Sequence, residues 1–332
     1  MTFRALLTDK DKHGKVSSRV AELDERDLPD GNVLLAIDWT GFNYKDGLAL
    51  TGRGGIVRSY PHIGGVDFAG RVIESTDGRY HPGQAVILTG WRVGEWHWGG
   101  FATRARVNAD WLVPMPKGMS TRDAMVIGTA GLTAMLAINR LKSEGIRAAG
   151  STNGPVLVTG AGGGVGSIAT LLLARLGYEV HVVTGREEVH DDLKALGANM
   201  VLGRDALEAS EKGLLKPRWR GAIDNVGGAP LASLLKQIEP GGCVAAVGLA
   251  AGANWDASVV PFILRGITLA GIDSVMQPFD ARMAAWDRLT TLFSSTVYER
   301  MVTEAALADL PALSEDILAG RVRGRVIVKP SA

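Results

Sequence analysis

One glycine-rich segment constrains the fold of this chain more than any other part of its sequence. The apolar run 155–160 is followed by Ala161-Gly-Gly-Gly-Val-Gly166, and then by the apolar stretch 167–177. This order indicates a buried strand, a tight loop and a helix. Aligned on the pattern G-x-G-x-x-G, Ala161 replaces the first glycine, while Gly163 and Gly166 are kept.

Such a loop lets the backbone approach a pyrophosphate, which then lies on the N–H groups of the helix N-terminus. The segment therefore predicts a dinucleotide-binding turn, and a glycine-rich turn without a ligand is the alternative. The residues expected to contact the dinucleotide are Gly163, Gly164, Val165 and Gly166.

Short apolar runs continue to alternate with helical patterns beyond this loop. Further strands are predicted at 179–184, 221–226 and 242–248. Strands that alternate with helices imply a parallel sheet covered on both faces, so this region is predicted to be an α/β Rossmann domain with a doubly wound sheet. The uncharged stretch 125–139 is broken by glycine and threonine and flanked by charges, which favours a buried helix over a membrane span.

The first part of the chain has a different pattern, with strands and tight turns. Strand-like runs at 32–39, 70–75 and 84–89 are separated by turn signals such as His-Pro-Gly at 81–83. The last strand, 324–329, is expected to return to this β-rich domain. The predicted division is therefore 1–122 with 301–332 for the β-rich domain, and 123–300 for the Rossmann domain.

Charge and cysteine content restrict the partners and the compartment. Lys and Arg total 36 against 35 Asp and Glu, and this near-neutral balance gives no reason to expect a nucleic-acid or membrane partner. The single cysteine, Cys243, excludes a disulfide framework within the chain and fits a reducing compartment, so the cytoplasm is predicted. The N-terminal residues reach charge too early for a secretory signal peptide.

The end of the second predicted strand indicates which dinucleotide is bound. NAD-binding sites usually end this strand with an acid that holds the ribose 2′-hydroxyl, but here it ends Thr184-Gly185-Arg186. Arg186 can pair with a 2′-phosphate, Thr184 can donate a hydrogen bond, and Arg204 could join them. The pattern favours NADPH, with a solvated loop arginine as the alternative.

These segments, together with several others, resemble the medium-chain dehydrogenase/reductase superfamily. The match is closer to its zinc-free, quinone-oxidoreductase-like branch, and closer still to the NADPH-dependent acryloyl-CoA reductase family. The segments that carry the resemblance span nearly the whole chain: 43–52, 64–70, 89–100, 109–114, 127–131, 261–266 and 271–275.

The resemblance implies a GroES-like β-rich catalytic domain that is split by the Rossmann domain, with the active site in a cleft. It implies cofactor contacts at Tyr44, the glycine loop, Thr184, Gly185, Arg186, Arg204, Leu249, Ile263 and Ser274. On their own, Leu249 and Ile263 would be interpreted as core residues, and Ser274 as a turn hydroxyl.

No metal site is predicted. The zinc alcohol dehydrogenases of this superfamily have a cysteine ligand near the position of Asn43 and a His-Glu pair near Val66 and Asp67, and neither is present. A catalytic zinc needs three protein ligands, and the six histidines show no ligand-like spacing. His97, between Trp96 and Trp98, is expected to be a packing residue.

Reduction of an activated C=C bond remains feasible without a metal. Hydride addition to an enoyl thioester builds charge on the thioester oxygen, which needs an aimed hydrogen-bond donor. The candidate catalytic residues are Asn43, Tyr44 and Asp46. Their alternative interpretation is ordinary turn or helix-cap chemistry.

The acyl-CoA substrate that this reaction implies carries phosphates and a short acyl chain. Candidates for the phosphates are Arg53, Arg58, Arg92, Arg323 and Arg325, each of which could instead be a solvated surface charge. Four aromatic residues could narrow the acyl pocket or simply belong to the core: Trp91, Trp96, Trp98 and Phe101.

The leading hypothesis is NADPH-dependent reduction of a short 2-enoyl-CoA, with acryloyl-CoA to propanoyl-CoA as the best example. The same hydride step on a quinone or a free enone is the alternative within enzymes. A non-catalytic NADPH-binding sensor or structural protein is the alternative of another class. A homodimer is expected because cyclic dimers are the commonest oligomers of soluble proteins.

Overall fold

The computed structural model describes residues 1–148 and 154–332, which form two compact units. Unit 1 comprises Met1–Thr129, Ser274–Thr290 and Val302–Ala332, and unit 2 comprises Ala130–Asp273 and Thr291–Met301. The predicted domain bounds at 122, 123, 300 and 301 stay a prediction.

The strands and helices of residues 1–148 are β1 (Thr2–Lys10), β2 (Val16–Asp24), β3 (Val33–Phe42), α1 (Tyr44–Thr51), β4 (His62–Ile63), β5 (Asp67–Ser75), β6 (Ala85–Thr89), β7 (Arg104–Val107), β8 (Leu112–Pro114) and α2 (Thr121–Ser143). Those of residues 154–332 are β9 (Val156–Thr159), α3 (Gly164–Arg175), β10 (Val180–Val183), α4 (His190–Ala195), β11 (Met200–Leu202), β12 (Trp219–Asp224), α5 (Gly228–Leu235), β13 (Ile238–Ala246), α6 (Val260–Arg265), β14 (Thr268–Gly271), α7 (Phe279–Leu292), α8 (Ser295–Tyr298), β15 (Val302–Ala305), α9 (Leu310–Leu318) and β16 (Arg325–Val328).

Unit 2 contains a parallel sheet whose strand order is β11-β10-β9-β12-β13-β14. Numbered along the chain, this is the order 3-2-1-4-5-6 of a doubly wound Rossmann sheet, and it reverses direction between β9 and β12. All four residues of β9 are buried, as its unbroken apolar pattern predicts. The predicted Rossmann fold is confirmed, and the structure places the helix after the glycine loop three residues earlier than its apolar pattern suggests.

Unit 1 is β-rich, as predicted. Its larger sheet has the order β15-β16-β3-β5-β6-β8, with β7 paired to β3, and a smaller sheet has the order β2-β1-β4. The last strand of the chain pairs antiparallel with β3, so that Val326 lies opposite Phe42. The predicted return of the C-terminal strand to this domain is therefore confirmed.

Helix α2 is long and apolar, but it is interrupted. Ser120 caps its start, because its Oγ accepts a hydrogen bond from the backbone N–H of Asp123 at 3.0 Å. At Gly128 the backbone leaves the helical region, with φ 50° and ψ −157°. Among the described residues it is the one helix long and apolar enough to cross a membrane, and 78% of its most apolar window is buried inside the protein. That burial is typical of a core helix.

The glycine loop after β9 is packed tightly at one position and loosely at another. A Cβ atom at Gly166 would lie 2.5 Å from the carbonyl oxygen of Gly160 and 2.7 Å from Cα of Ala161, so the first turn of α3 can approach β9 only with glycine there. A Cβ at Gly163 would meet only the carbonyl oxygen of Gly160, at 3.4 Å. The two glycines therefore differ in what they contribute to stability.

We expect Gly166→Ala to lower the free energy of unfolding by about 1–3 kcal/mol, because the clash is with backbone that cannot move aside. Gly163→Ala is the matched control from the same loop, and it should change the stability by less than about 1 kcal/mol. Urea unfolding of both variants without any ligand measures the difference. Equal stability of the two variants would show that this packing does not require glycine.

Candidate active site

The glycine loop presents the N-terminus of α3 at the carboxyl end of β9. Gly160 takes a φ of 58°, and the N–H of Gly163 turns back to the carbonyl oxygen of Gly160 at 3.1 Å. Helix α3 begins at Gly164, so the N–H groups of its first turn have no partner within the helix. A diphosphate can accept hydrogen bonds from such groups.

Two guanidinium groups lie against glycines, one in this loop and one just after β10. A Cβ at Gly162 would be 2.7 Å from Nη2 of Arg186, and one at Gly185 would be 2.7 Å from Cζ of Arg204. Both arginine side chains thus pass across glycines at the carboxyl ends of β9 and β10. The backbone N–H of Arg186 donates to Oγ1 of Thr184 at 3.2 Å, which fixes the turn. The structure therefore brings the predicted residues Thr184, Arg186 and Arg204 together with the loop.

This pair of cations fits a dinucleotide that carries an extra phosphate on its adenosine ribose. No acid occupies positions 184–186, and the next two residues, Glu187 and Glu188, are exposed. A carboxylate in that place would repel a 2′-phosphate, whereas two guanidinium forks can bind it through charge-assisted hydrogen bonds. The donor set at this edge of the sheet thus suits NADPH better than NADH.

A polar cluster that the sequence analysis missed lies where the sheet reverses direction. Oγ1 of Thr159 donates to Oδ1 of Asp224 at 2.7 Å, and the N–H of Gly227 donates to Oδ2 at 2.8 Å. Burial raises the pKa of this Asp224 carboxyl. Asn225 donates from Nδ2 to the carbonyl oxygen of Thr159 at 2.7 Å, while its buried Oδ1 has no partner among the described residues.

Asn225 is therefore an acceptor at the reversal point, where doubly wound sheets bind their ligands. A sequence signal for it does exist. The polar pair Asp224-Asn225 ends an apolar strand and is followed by Gly227 and Gly228.

Leu249 and Ile263 are both largely exposed, at 54% and 73%. The interpretation of these two side chains as core residues is therefore wrong. Leu249 lies in the turn after β13, next to Gly227. Ile263 lies within helix α6.

Unit 1 holds the three candidate catalytic residues at the start of α1. Asn43 is the N-cap, and its backbone N–H donates to Oδ2 of Asp46 at 2.9 Å. Oδ1 of Asp46 accepts hydrogen bonds from the N–H groups of Gly65 and Val66, at 3.2 and 3.0 Å. The interpretation of Asn43 and Asp46 as helix-cap residues is confirmed, and this leaves Asp46 fully buried.

The side chain of Asn43 belongs to a second set of buried contacts. Its Nδ2 donates to Oδ1 of Asp67 at 3.0 Å, and its Oδ1 accepts from Nη1 of Arg325 at 2.9 Å. The interruption of α2 completes this network. Thr129 donates its N–H to Oδ2 of Asp67 at 2.6 Å, and the carbonyl oxygen of Val126 accepts from Nε of Arg325 at 3.0 Å.

The break at Gly128 is required by this network. A Cβ there would lie 2.6 Å from Nη2 of Arg325 and 2.7 Å from Oδ2 of Asp67. Arg325 is buried and committed to Asn43 and to helix carbonyls, so the hypothesis that it binds a CoA phosphate is wrong. The sequence analysis did not assign Asp67 to the site, and Arg325 supports the site instead of binding a phosphate.

The buried carboxyl of Asp46 lies in the field of a second carboxylate. Burial, together with the negative charge of Asp67, raises the pKa of Asp46 to about 7, although hydrogen bonds from Asn43 and Val66 act in the opposite direction. Tyr44, the first residue of α1, is half-buried, and no hydrogen-bond partner of its hydroxyl lies among the described residues. Of the three candidates, Tyr44 is therefore the one whose donor is available to a ligand.

The structure shows the contacts of three other residues singled out in the sequence. Phe101 is fully buried in the core of unit 1, so its alternative as a core residue is confirmed. The ring of His97 packs edge-on against Trp111 and hydrogen-bonds through Nε2 to the carbonyl oxygen of Arg106, as expected of a packing residue. The carbonyl oxygen of Ser274 accepts from the buried Arg282 at 3.3 Å. Over residues 1–148 and 154–332, no cluster of three His, Cys, Asp or Glu side chains could hold a metal ion.

Two family descriptions match this chain. Residues 29–117 match the alcohol dehydrogenase GroES-like domain, and residues 164–291 match the family described as zinc-binding dehydrogenase. With the sheet order of unit 2, these matches confirm the predicted combination of a GroES-like and a Rossmann domain.

Relatives match over nearly the whole length. Acrylyl-CoA reductase AcuI of Ruegeria pomeroyi is 52% identical, over 99% of this chain and 100% of the relative. A crystal structure of an Escherichia coli protein with bound NADPH is 49% identical, with a TM-score of 0.95 over 98% of this chain and 99% of that one.

A third relative has a different name and ligand. The putative quinone oxidoreductase YhfP of Bacillus subtilis is 46% identical over 98% of each chain. A crystal structure of Bacillus subtilis YhfP with NAD bound has a TM-score of 0.93 over 99% of each chain. The resemblance inferred from the sequence is thus confirmed, and the chain belongs to the acrylyl-CoA reductase family of the medium-chain dehydrogenase/reductase superfamily.

Proposed function

We propose that this chain is an NADPH-dependent reductase that converts a short 2-enoyl-CoA, with acryloyl-CoA as the best example, into the saturated acyl-CoA. The observation that carries the proposal is the 52% identity over 99% of the chain with an acrylyl-CoA reductase. Reduction of a quinone or a free enone is the second candidate, favoured by the 46% identity with a putative quinone oxidoreductase. A non-catalytic NADPH-binding protein is the candidate of another class.

The cofactor proposal rests on the glycine loop and the two arginines beside it. The loop N–H groups would hold the diphosphate, Arg186 and Arg204 would bind the 2′-phosphate, and Oδ1 of Asn225 offers an acceptor where the sheet reverses direction. The further proposed cofactor contacts are Tyr44, Gly163, Gly164, Val165, Gly166, Thr184, Gly185, Leu249, Ile263 and Ser274.

When bound, NADPH would supply the hydride that the β-carbon of the enoyl thioester accepts, and the solvent would supply the proton that the α-carbon takes up. The hydroxyl of Tyr44 donates a hydrogen bond to the thioester oxygen, where negative charge builds up, because a phenol is protonated at neutral pH. Asn43 and Asp46 hold Tyr44 in position. Their own polar atoms bond to each other, to Asp67 and to Arg325, which fixes the first turn of α1.

Three further properties belong to the proposal. The protein works without a metal, in the cytoplasm, and as a homodimer. The lone cysteine, which is buried, fits a reducing compartment. Strand β14 lies at the edge of the parallel sheet of unit 2, and an edge strand can pair with a second copy of the chain.

The central test measures NADPH oxidation with acryloyl-CoA, with a quinone and without an acceptor, each in the presence and absence of a chelator. We expect acryloyl-CoA to be reduced with the highest kcat/KM and the chelator to have no effect, because no step requires a metal. A higher kcat/KM with the quinone would favour the second candidate. If neither acryloyl-CoA nor the quinone causes NADPH oxidation, a non-catalytic binding protein is favoured. Loss of activity with the chelator would contradict the metal-free proposal.

Arg186→Ala should weaken the use of NADPH by about 10- to 100-fold, since a charge-assisted contact contributes roughly 1.5–3 kcal/mol. The use of NADH should change much less, because NADH has no 2′-phosphate. Arg175→Ala is the matched control. Arg175 is the last residue of α3, at the end of this helix away from the glycine loop, and it donates to the carbonyl oxygen of Leu292. Equal losses with both cofactors in Arg186→Ala would contradict the NADPH assignment.

Tyr44→Phe should lower kcat for acryloyl-CoA by about 10²- to 10³-fold, the usual effect of removing one donor to a developing oxyanion. KM should change little. The control is Tyr80→Phe, since the hydroxyl of Tyr80 donates to the backbone carbonyl of Leu112 at 2.8 Å and is buried in the core of unit 1. If Tyr44→Phe keeps its kcat, the donor is another group.

A further inference from the structure

An exposed tryptophan in unit 1 is in contact with two arginines. The indole of Trp96 is 51% exposed, and Cζ of Arg58 and of Arg92 lie 4.8 and 4.3 Å from its ring centroid. We call Arg58, Arg92 and Trp96, with Lys45 and Glu95, the Trp96 cluster. An exposed indole in contact with two guanidinium groups offers a ligand both a flat apolar surface and cationic hydrogen-bond donors.

Ion pairs of Glu95 and backbone hydrogen bonds hold the Trp96 cluster in place. The side chain of Glu95 is only 7% exposed, and it pairs with Nζ of Lys45 at 2.8 Å and with Nη1 of Arg92 at 3.5 Å. The carbonyl oxygen of Glu95 accepts from the N–H of Arg58 at 3.1 Å, and that of Arg92 accepts from the N–H of Trp96 at 2.9 Å. A backbone hydrogen bond therefore joins the two loops that carry the arginines, and one buried carboxylate holds Arg92.

The charges of the cluster do not balance. Three cations face the single carboxylate of Glu95, and Arg58 has no acidic side chain within ion-pair distance among the residues that the structure describes. A guanidinium that stacks on an aromatic ring is weakly hydrated, and its N–H edge remains able to bind an anion. The surface therefore suits a ligand with both a phosphate and a flat ring.

We propose that the Trp96 cluster binds the 3′-phosphoadenosine diphosphate end of CoA. Adenine stacks on the layer formed by Trp96 and the guanidinium groups, and the phosphates accept hydrogen bonds from the N–H groups of Arg58 and Arg92. Lys45 connects this surface with the reaction, since it follows Tyr44 in the first turn of α1 and pairs with Glu95. This inference rests on the proposed function, which makes an acyl-CoA the substrate.

The test compares acryloyl-CoA with acryloyl-pantetheine, which lacks the nucleotide. The double variant Arg58→Gln/Arg92→Gln should raise KM for acryloyl-CoA by about 10- to 100-fold, as the loss of charge-assisted contacts predicts. The kcat should stay within about threefold, and the double variant and the unaltered protein should have the same kcat/KM with acryloyl-pantetheine. Trp96→Leu keeps both charges and should raise KM by about tenfold through the loss of stacking.

The control is Arg26→Gln, because Arg26 is an exposed arginine of the same unit that pairs with Asp24 at 2.9 Å. It should leave both substrates unaffected. Titration calorimetry of CoA with the NADPH-loaded protein gives a readout without turnover, and the dissociation constant should rise only in the cluster variants.

These experiments distinguish failure of the proposed function from failure of the inference about the Trp96 cluster. An unaltered protein that neither reduces acryloyl-CoA nor binds CoA overturns the proposed function and this inference with it. Turnover of acryloyl-CoA with an unchanged KM in the double variant overturns the inference alone. Binding of CoA that the double variant loses supports the Trp96 cluster even without turnover.

Discussion

The contact of Arg325 with Asn43 and Asp67 is the interaction on which the candidate site in unit 1 depends. A buried guanidinium without partners would cost several kcal/mol, and so would each of the carboxylates of Asp46 and Asp67. The network satisfies all three, because every one of these groups receives or donates hydrogen bonds within unit 1. Two acids against one base still leave an excess of negative charge, and this excess contributes to the raised pKa of Asp46.

The same network explains an apparently unfavourable break in a long helix. A continuous α2 would use its backbone groups internally, whereas the left-handed φ of Gly128 releases the N–H of Thr129 for Asp67. The carbonyl oxygens of Met125 and Val126 become acceptors for Arg325. A residue with a Cβ at position 128 would collide with both charged partners, so glycine serves the conformation and the close approach at once.

Much of this architecture was predictable because it depends on local patterns. Unbroken apolar runs gave β9, β10, β12 and β13 to within a few residues, and turn signals separated the strands of unit 1. The glycine loop and its neighbour Thr184-Gly185-Arg186 were found because strand, loop and helix are adjacent in the sequence. Asp67 was missed as a site residue, and Arg325 was assigned to a CoA phosphate, because their contacts with Asn43 join residues that are 24 and 282 positions apart. The periodicity of apolar residues along a sequence carries no information about contacts between residues so far apart.

Arginine illustrates most clearly what a sequence cannot decide, because the same side chain has three different environments here. Arg325 and Arg282 are buried, and backbone carbonyls take the place of water around their guanidinium groups.

Arg186 and Arg204 lie over glycines at the ends of two parallel strands, where the absence of a side chain lets each guanidinium approach the backbone closely. Arg58 and Arg92 lie against an exposed indole, and one buried carboxylate anchors Arg92 from behind. In the last two environments the arginines are exposed or half-buried, so an added phosphate could reach them. Burial and neighbours, rather than residue type, therefore separate the arginines that hold the fold together from those suited to bind nucleotides.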